Sequence, residues 1–305
     1  MTRTQQEIDR LLDKMIVEAE KNLDKAFVER TKDILAQIAA MYEKYSVEGE
    51  LTLTQMSKYN RLTNELEFMT KEITETYKYV LAAIQELMEN QYLQNYLRSA
   101  FLYEYESQVA MGFTVPSIKL LRAAIKNPIP KLTLPEIMKA HRNEIVNNIN
   151  IQLTQGLLAG EDYSRMAKRI TKVVDFSRAK ARRVARTEAG RVRSEARLSA
   201  GEKASKFAKL EKVWSSTLDT HTRNSHRKLD GKKADEEGYF HIRGLKAKGP
   251  HLFFVASEDV NCRCSVIYLV NGEYPEVRRA RVDGKNVVIP YQSYEDWEKT
   301  LGKAG

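Results

Sequence analysis

A chain of 305 residues with 42% hydrophobic and 30% charged side chains is long enough for two modest domains and apolar enough for a core, which excludes wholesale disorder. No apolar run approaches the roughly 20 residues that cross a bilayer, and residues 1–10 lack the apolar stretch of a secretory leader. The expectation is therefore a cytoplasmic product with no membrane partner. The formal net charge is +9, and the segment from Glu161 to Lys212 alone carries it, with 16 Lys/Arg against 7 Asp/Glu. Such a segment suits an acidic partner, either nucleic acid or an acidic protein face, and equally a solvated helix surface.

The first half reads as helix. Ile8, Leu12, Met15, Ala19, Leu23 and Ala26, then Ile34, Ile38, Met41 and Tyr45, recur at steps of three and four and define one long amphipathic helix. Gly49 breaks it. Thr52 with Gln55 forms a capping box for a second helix, along which Leu62, Leu66, Met69, Ile73, Val80, Ile84 and Leu87 repeat the pattern. The two make an antiparallel hairpin.

Prolines at 116, 128, 130 and 135 punctuate the middle, and 127–131 reads as a loop. Thr133 with Glu136 is a second capping box, with Pro135 in the first turn of a helix ending near Gly156 to Gly160. Asp162 caps a short helix through Ile170, and a further helix is expected over Ser177 to Lys209. On it Ala181, Ala185, Ala189, Val192, Ala196 and Ala200 form a small-residue stripe that permits close approach of a neighbour. Arginines cover the remainder. Among them Arg182, Arg183, Arg191 and Arg193 are the candidates for contact with double-stranded DNA phosphates, without sequence preference.

Beyond Lys212 the pattern turns to short strands, expected at Val213 to Leu218, His251 to Ala256 and Ser265 to Val270. Asp283-Gly284 is a hairpin turn between two more. Ser293, three residues before Asp296, starts a last short helix holding Trp297. The fold class is α+β, mostly α-helical: a long N-terminal helical hairpin, central helices and a small C-terminal α+β module. The expected domains are residues 1–130 (helical), 131–275 (helices over 133–209, α+β part 213–275) and 276–305 (hairpin and short helix).

The densest polar cluster runs from Asp219 to His226 and on to Leu229-Asp230-Gly231, followed some thirty residues later by Asn261-Cys262-Arg263-Cys264. His226, Cys262 and Cys264, with His221 as a weaker fourth, are a candidate zinc set, although Cys-x-Cys is tighter than the usual pair. The competing reading puts Cys262 and Cys264 on opposite faces of a strand, with His226 a hydrogen-bonding core residue. A third reading makes Asp219, His226 and a cysteine an acid–base–nucleophile set, for which no activating environment is legible. Asp219, Arg223 and Asp230 can instead form an ion-pair network that fixes the loop.

In order, Ala185-Arg186-Thr187-Glu188, Trp214, Asp219-x-x-Thr222-Arg223-x-x-His226-x-x-Leu229-Asp230-Gly231 and Asn261-Cys262-Arg263-Cys264 resemble the phage head morphogenesis family typified by the F protein of phage Mu. The likeness covers about Thr133 to Leu269, and Tyr294-Glu295-Asp296-Trp297 also resembles the family. His221 departs from it, standing where the family has an arginine. The resemblance implies a phage minor head (capsid) structural protein, made in the bacterial host cytoplasm and placed inside the head near the portal vertex. It also implies portal protein and major capsid or scaffolding protein as partners, and a role in head assembly and in DNA packaging or delivery. It assigns Arg186, Thr187, Glu188, Trp214, Asp219, Thr222, Arg223, Asp230, Gly231 and Asn261 as motif positions of structural weight, with no enzyme activity and no small-molecule substrate. A DNA-binding accessory protein is the alternative; a metal-dependent enzyme or toxin module is the more distant one, because about 35 residues after Leu269 are too few for a further domain.

Overall fold

In the computed structural model, which describes residues 4–282 and 285–301, the first apolar stripe becomes one uninterrupted helix, α1 (Gln5–Tyr45), with Ile8, Leu12, Leu23 and Ile38 fully buried. It ends in a tight turn. Val47 and Glu50 exchange backbone hydrogen bonds of 2.9 and 3.0 Å, and Glu48 (φ 50°) and Gly49 (φ 83°) both enter the left-handed region that glycine tolerates. The Thr52–Gln55 capping box forms as expected, but it opens only α2 (Leu53–Ser57). The chain then kinks at Tyr59 (φ 55°) and Asn60 (φ 54°) before α3 (Arg61–Ser107). The Arg61 guanidinium stacks at 4.3 Å over the Tyr45 ring and 5.4 Å over Tyr59, which holds the kink.

A short helix that the sequence reading did not anticipate, α4 (Ile118–Ile125), precedes α5 (Leu134–Leu158). Thr133 occupies the N-cap and Pro135 the first turn, yet the Thr133 hydroxyl makes no capping bond, so the second capping box is present in sequence only. α6 (Tyr163–Ala204) is a single helix of 42 residues rather than two. Asp162 caps it, accepting from the Arg165 amide at 2.9 Å. No Gly or Pro lies between Ile170 and Ser177 to stop it, and the buried Ile170, Val174, Ser177 and Ala181 carry one stripe straight through.

Three two-stranded antiparallel sheets follow. β1 (Leu210–Ser215) pairs with β4 (Ser265–Val270), Trp214 opposite Val266. β2 (Phe240–Ile242) pairs with β3 (Leu245–Ala247), and β5 (Val277–Val282) with β6 (Lys285–Pro290). Two single turns, α7 (Asn224–Arg227) and α8 (Ala256–Asp259), lie between, and α9 (Tyr294–Leu301) closes the described chain. The strand expected at His251 to Ala256 does not form: His251 (φ 64°) and Phe254 (φ 57°) leave the β region, and the Asp259 carboxylate takes up the Phe253 and Val255 amides at 3.3 Å. The expected Asp283-Gly284 turn lies outside the described residues. Ser293 caps α9, its hydroxyl accepting from the Asp296 amide at 3.1 Å.

The chain divides into two compact units that are discontinuous in sequence, in contrast to the consecutive segments 1–130, 131–275 and 276–305, because α1, α3 and α6 each contribute to both. Residues 18–86 and 126–185 form an all-helical unit, in which Phe27 meets Tyr77 edge to face and the Tyr42 hydroxyl donates to the Glu161 carbonyl at 2.6 Å. Residues 1–17, 87–125 and 186–305 form the other, which holds every described strand. Here the small-residue stripe meets its partners: Ala196, Ala200 and Ala204 pack under Tyr92, Tyr96 and Tyr103. Gly201 lies so close under the Tyr268 ring that a Cβ there would stand 2.2 Å from it.

Candidate metal centre

The core of the α+β part is built on Trp214, a fully buried residue of β1 whose ring meets Phe240 and His226 edge to face, both at 5.3 Å. β1 continues into a loop fixed by Asp219. Its carboxylate accepts from the His221 amide at 2.9 Å and the Thr222 hydroxyl at 3.0 Å, and it pairs with Arg263 at 2.6 Å. The loop turns into α7, where His226 is 1% exposed.

His226 faces two different chemistries. Its Nε2 lies 3.0 Å from a Glu258 carboxylate oxygen, which also accepts from the Ser225 hydroxyl at 3.0 Å. Its Nδ1 lies 3.5 Å from Cys262 Sγ and 3.5 Å from Cys264 Sγ. The three donor atoms sit within 4.8 Å of one another, on side chains that are all buried. Residues two apart share a face even in a regular strand, and the opposite-face reading of the two cysteines is therefore incorrect. They lie before β4 begins, and Asn261 (φ 56°) bends the chain in the left-handed region that asparagine tolerates. Arg263, between them, points the other way, to Asp219. Two thiols so close do not ionise independently. Cys264 and burial push the Cys262 thiol well up; burial also raises Cys264, but its hydrogen-bonding contacts with Cys262 and His226 outweigh it and bring Cys264 well below the ordinary thiol range.

The other predicted positions take structural roles. His221 is exposed and stands apart from the cluster. The expected Asp219–Arg223–Asp230 network has different partners: Arg223 donates to the Val260 carbonyl at 2.6 Å, Asp219 pairs with Arg263, and Asp230 pairs with Arg278. Asp230 accepts from both Arg278 terminal nitrogens at 2.9 Å and from the amides of Ser216 and Tyr294 at 2.8 Å, which ties β1, β5 and α9 to one carboxylate. Gly231 follows with φ 72° and donates its amide to the Trp214 carbonyl at 2.9 Å. Thr187 accepts from the Asn261 amide at 3.4 Å. Glu188 pairs with Arg191, burial raising the acid's pKa and the guanidinium lowering it. The carboxylate of the acid–base–nucleophile reading is misplaced too, since the acid bonded to His226 is Glu258, not Asp219.

The Arg-rich part of α6 is not a free cationic face. Arg191 is 3% exposed and donates to the Ala124 and Ile125 carbonyls, capping the end of α4. Arg193 pairs with Asp9 at 2.6 Å and Asp13 at 3.0 Å, and Arg197 with Asp9 at 2.6 Å. Arg182 reaches Glu20 and Asp24, both at 3.4 Å, while Arg183 and Arg186 are exposed. The acids of α1 stand far away in sequence, 162 residues for Arg182–Glu20 and 188 for Arg197–Asp9, so counting charge within a window does not find them. Exposed cations gather instead in the all-helical unit, where Arg165, Lys168 and Lys172 line a groove with Asn148, Gln152 and Phe176. Glu258 and Arg278 were not singled out from sequence, and Arg263 only as a member of its motif with no partner assigned; each is an ordinary charged residue far along the chain from its partner.

Residues 147–267 match the family described as Phage Mu protein F like protein. The whole chain is similar to the minor head protein GP7 of Bacillus phage SPP1, with 47% identity over 299 residues that span 97% of each protein. It is also 34% identical, over 205 residues, to an NAD(+)–arginine ADP-ribosyltransferase, EFV, of Enterococcus faecalis, a match covering 67% of this chain and 42% of that protein. No solved structure matches.

Proposed function

The chain belongs to the phage minor head proteins of the Mu F-like family, and from that premise we propose that it serves inside the head at the portal vertex, bound to portal protein. It is a structural component of the virion head. The observation that carries the reading is the 47% identity extending over 97% of both proteins, helical half included. The family's motif residues support it physically. Asp219, Asp230, Glu188 and Gly231 are committed to ion pairs, caps and a turn, the use expected of a rigid scaffold. In the Enterococcus relative, transferase activity belongs to a protein of which the matched part is 42%, and we read the present chain as non-catalytic.

Co-expression with the portal protein of the same phage tests this. The proposal expects a complex that survives size-exclusion chromatography; separate elution at low and high salt alike overturns it. Major capsid and scaffolding proteins are the further partners to assay in the same way.

A DNA-contacting role has its own support, in the groove of the all-helical unit. Arg165, Lys168 and Lys172 project from α6 at helical spacing beside an exposed Phe176. Duplex binding there is electrostatic and steeply salt-dependent, each phosphate contact adding about 0.9 to the slope of log K against log salt. Lys168→Ala with Lys172→Ala lowers that slope by nearly 2; an unchanged slope removes the DNA role from this groove.

A further inference from the structure

We propose that His226, Cys262 and Cys264 bind a structural zinc ion that fixes the α+β part of the head protein. A tetrahedral zinc with bonds of about 2.3 Å to sulfur and about 2.0 Å to nitrogen holds sulfur and nitrogen roughly 3.5 Å apart. Both Sγ–Nδ1 distances are 3.5 Å, so the donors stand where the ion needs them. The orientation agrees. A carboxylate at Nε2 keeps the proton on that nitrogen, so the Nδ1 lone pair faces the sulfurs, the usual arrangement of a metal-bound histidine with a carboxylate behind it. Ser225 steadies that carboxylate with a second hydrogen bond.

The chain is shaped for this purpose. Residues 262 and 264, two apart, share one side of an extended chain, and the left-handed bend at Asn261 with the tether of Arg263 to Asp219 turns that side onto His226 ahead of β4. Both sulfurs converge on the single Nδ1 lone pair, the arrangement of a shared ligand rather than of two separate thiol hydrogen bonds. Soft sulfur with imidazole selects zinc over magnesium or calcium. Among the described residues no further His, Cys, Asp or Glu joins the three, so the fourth position falls to water or another oxygen. Three protein ligands with an oxygen fourth is also the coordination of a catalytic zinc; the burial of all three ligand side chains is what argues for a staple here. The ion links α7 to the turn before β4, residues 36 and 38 apart in sequence, as a cross-link that a reducing cytoplasm does not break.

The test is elemental analysis of the full-length protein purified without added metal, followed by chelation and reconstitution with cobalt(II). The proposal expects about one zinc per chain. It expects a lowered melting temperature after chelation that zinc restores, and a thiolate-to-metal charge-transfer band with cobalt. Cys262→Ser with Cys264→Ser abolishes that band. Folded protein that carries no zinc, gives no charge-transfer band and melts identically with and without chelator overturns it. The chelation comparison uses the native sequence, so it decides the matter even where the cysteine variant does not fold.

Discussion

Asp230→Ala removes the carboxylate on which three elements converge. The Asp230–Arg278 pair is 4% and 3% exposed and bidentate, so deleting one member strands a buried charge. Breaking such a pair costs about 3–5 kcal/mol. The amides of Ser216 and Tyr294 also lose their acceptor, at about 1 kcal/mol or more each where water does not replace it. Against this, Arg278 keeps its bonds to the Ser216 and Gln292 carbonyls, which holds the net near 4 kcal/mol. The assay is urea unfolding followed by tryptophan fluorescence. Both tryptophans, Trp214 and Trp297, belong to the unit containing Asp230, so the signal reports that unit. Asp230→Ala combined with Arg278→Met recovers part of the loss, because the orphaned charge is gone. A loss below about 1 kcal/mol for Asp230→Ala, or a double variant worse than the sum of the singles, refutes the reasoning.

Three further outcomes are expected. Gly231→Ala meets nothing within 4 Å and acts only through its φ of 72°, so it destabilises by about 1–2 kcal/mol while Gly231→Asn costs less; equal losses would point to packing instead. Gly201→Ala drives a methyl into the Tyr268 ring and destabilises by about 1–3 kcal/mol in the same unfolding assay, with no effect contradicting the tight contact. His251 titrates in the folded protein at about 3 rather than the ordinary 6.5, chiefly through burial and then through the Arg193 charge. The unfolded chain therefore binds a proton that the folded one refuses, and stability falls as pH drops from 6.5 toward 3. His251→Gln flattens that limb of the stability–pH curve; a curve of unchanged slope would show that His251 is not responsible.

The long apolar stripes were legible because a helix writes its buried face into sequence at a fixed period: Ile8 to Tyr45 marks α1 correctly. The break expected between Ile170 and Ser177 does not form, because no Gly or Pro stands there to impose one. β2 and β3, three residues each, are too short for alternation to register. At the candidate centre the sequence supplied His226, Cys262 and Cys264 but not their convergence, which depends on a left-handed Asn261. It also did not supply Glu258, whose role exists only through a contact 32 residues away. The same limit explains Arg193: its acid partners lie at the start of the chain, so a run of arginines looked free that the fold neutralises.

Quantitative mass spectrometry of purified, DNA-filled heads tests the central claim most directly. The account predicts that this chain is retained in them at a few copies per particle, through nuclease treatment and washing in high salt. Heads that assemble and fill with DNA yet contain none of it would contradict a structural place in the virion.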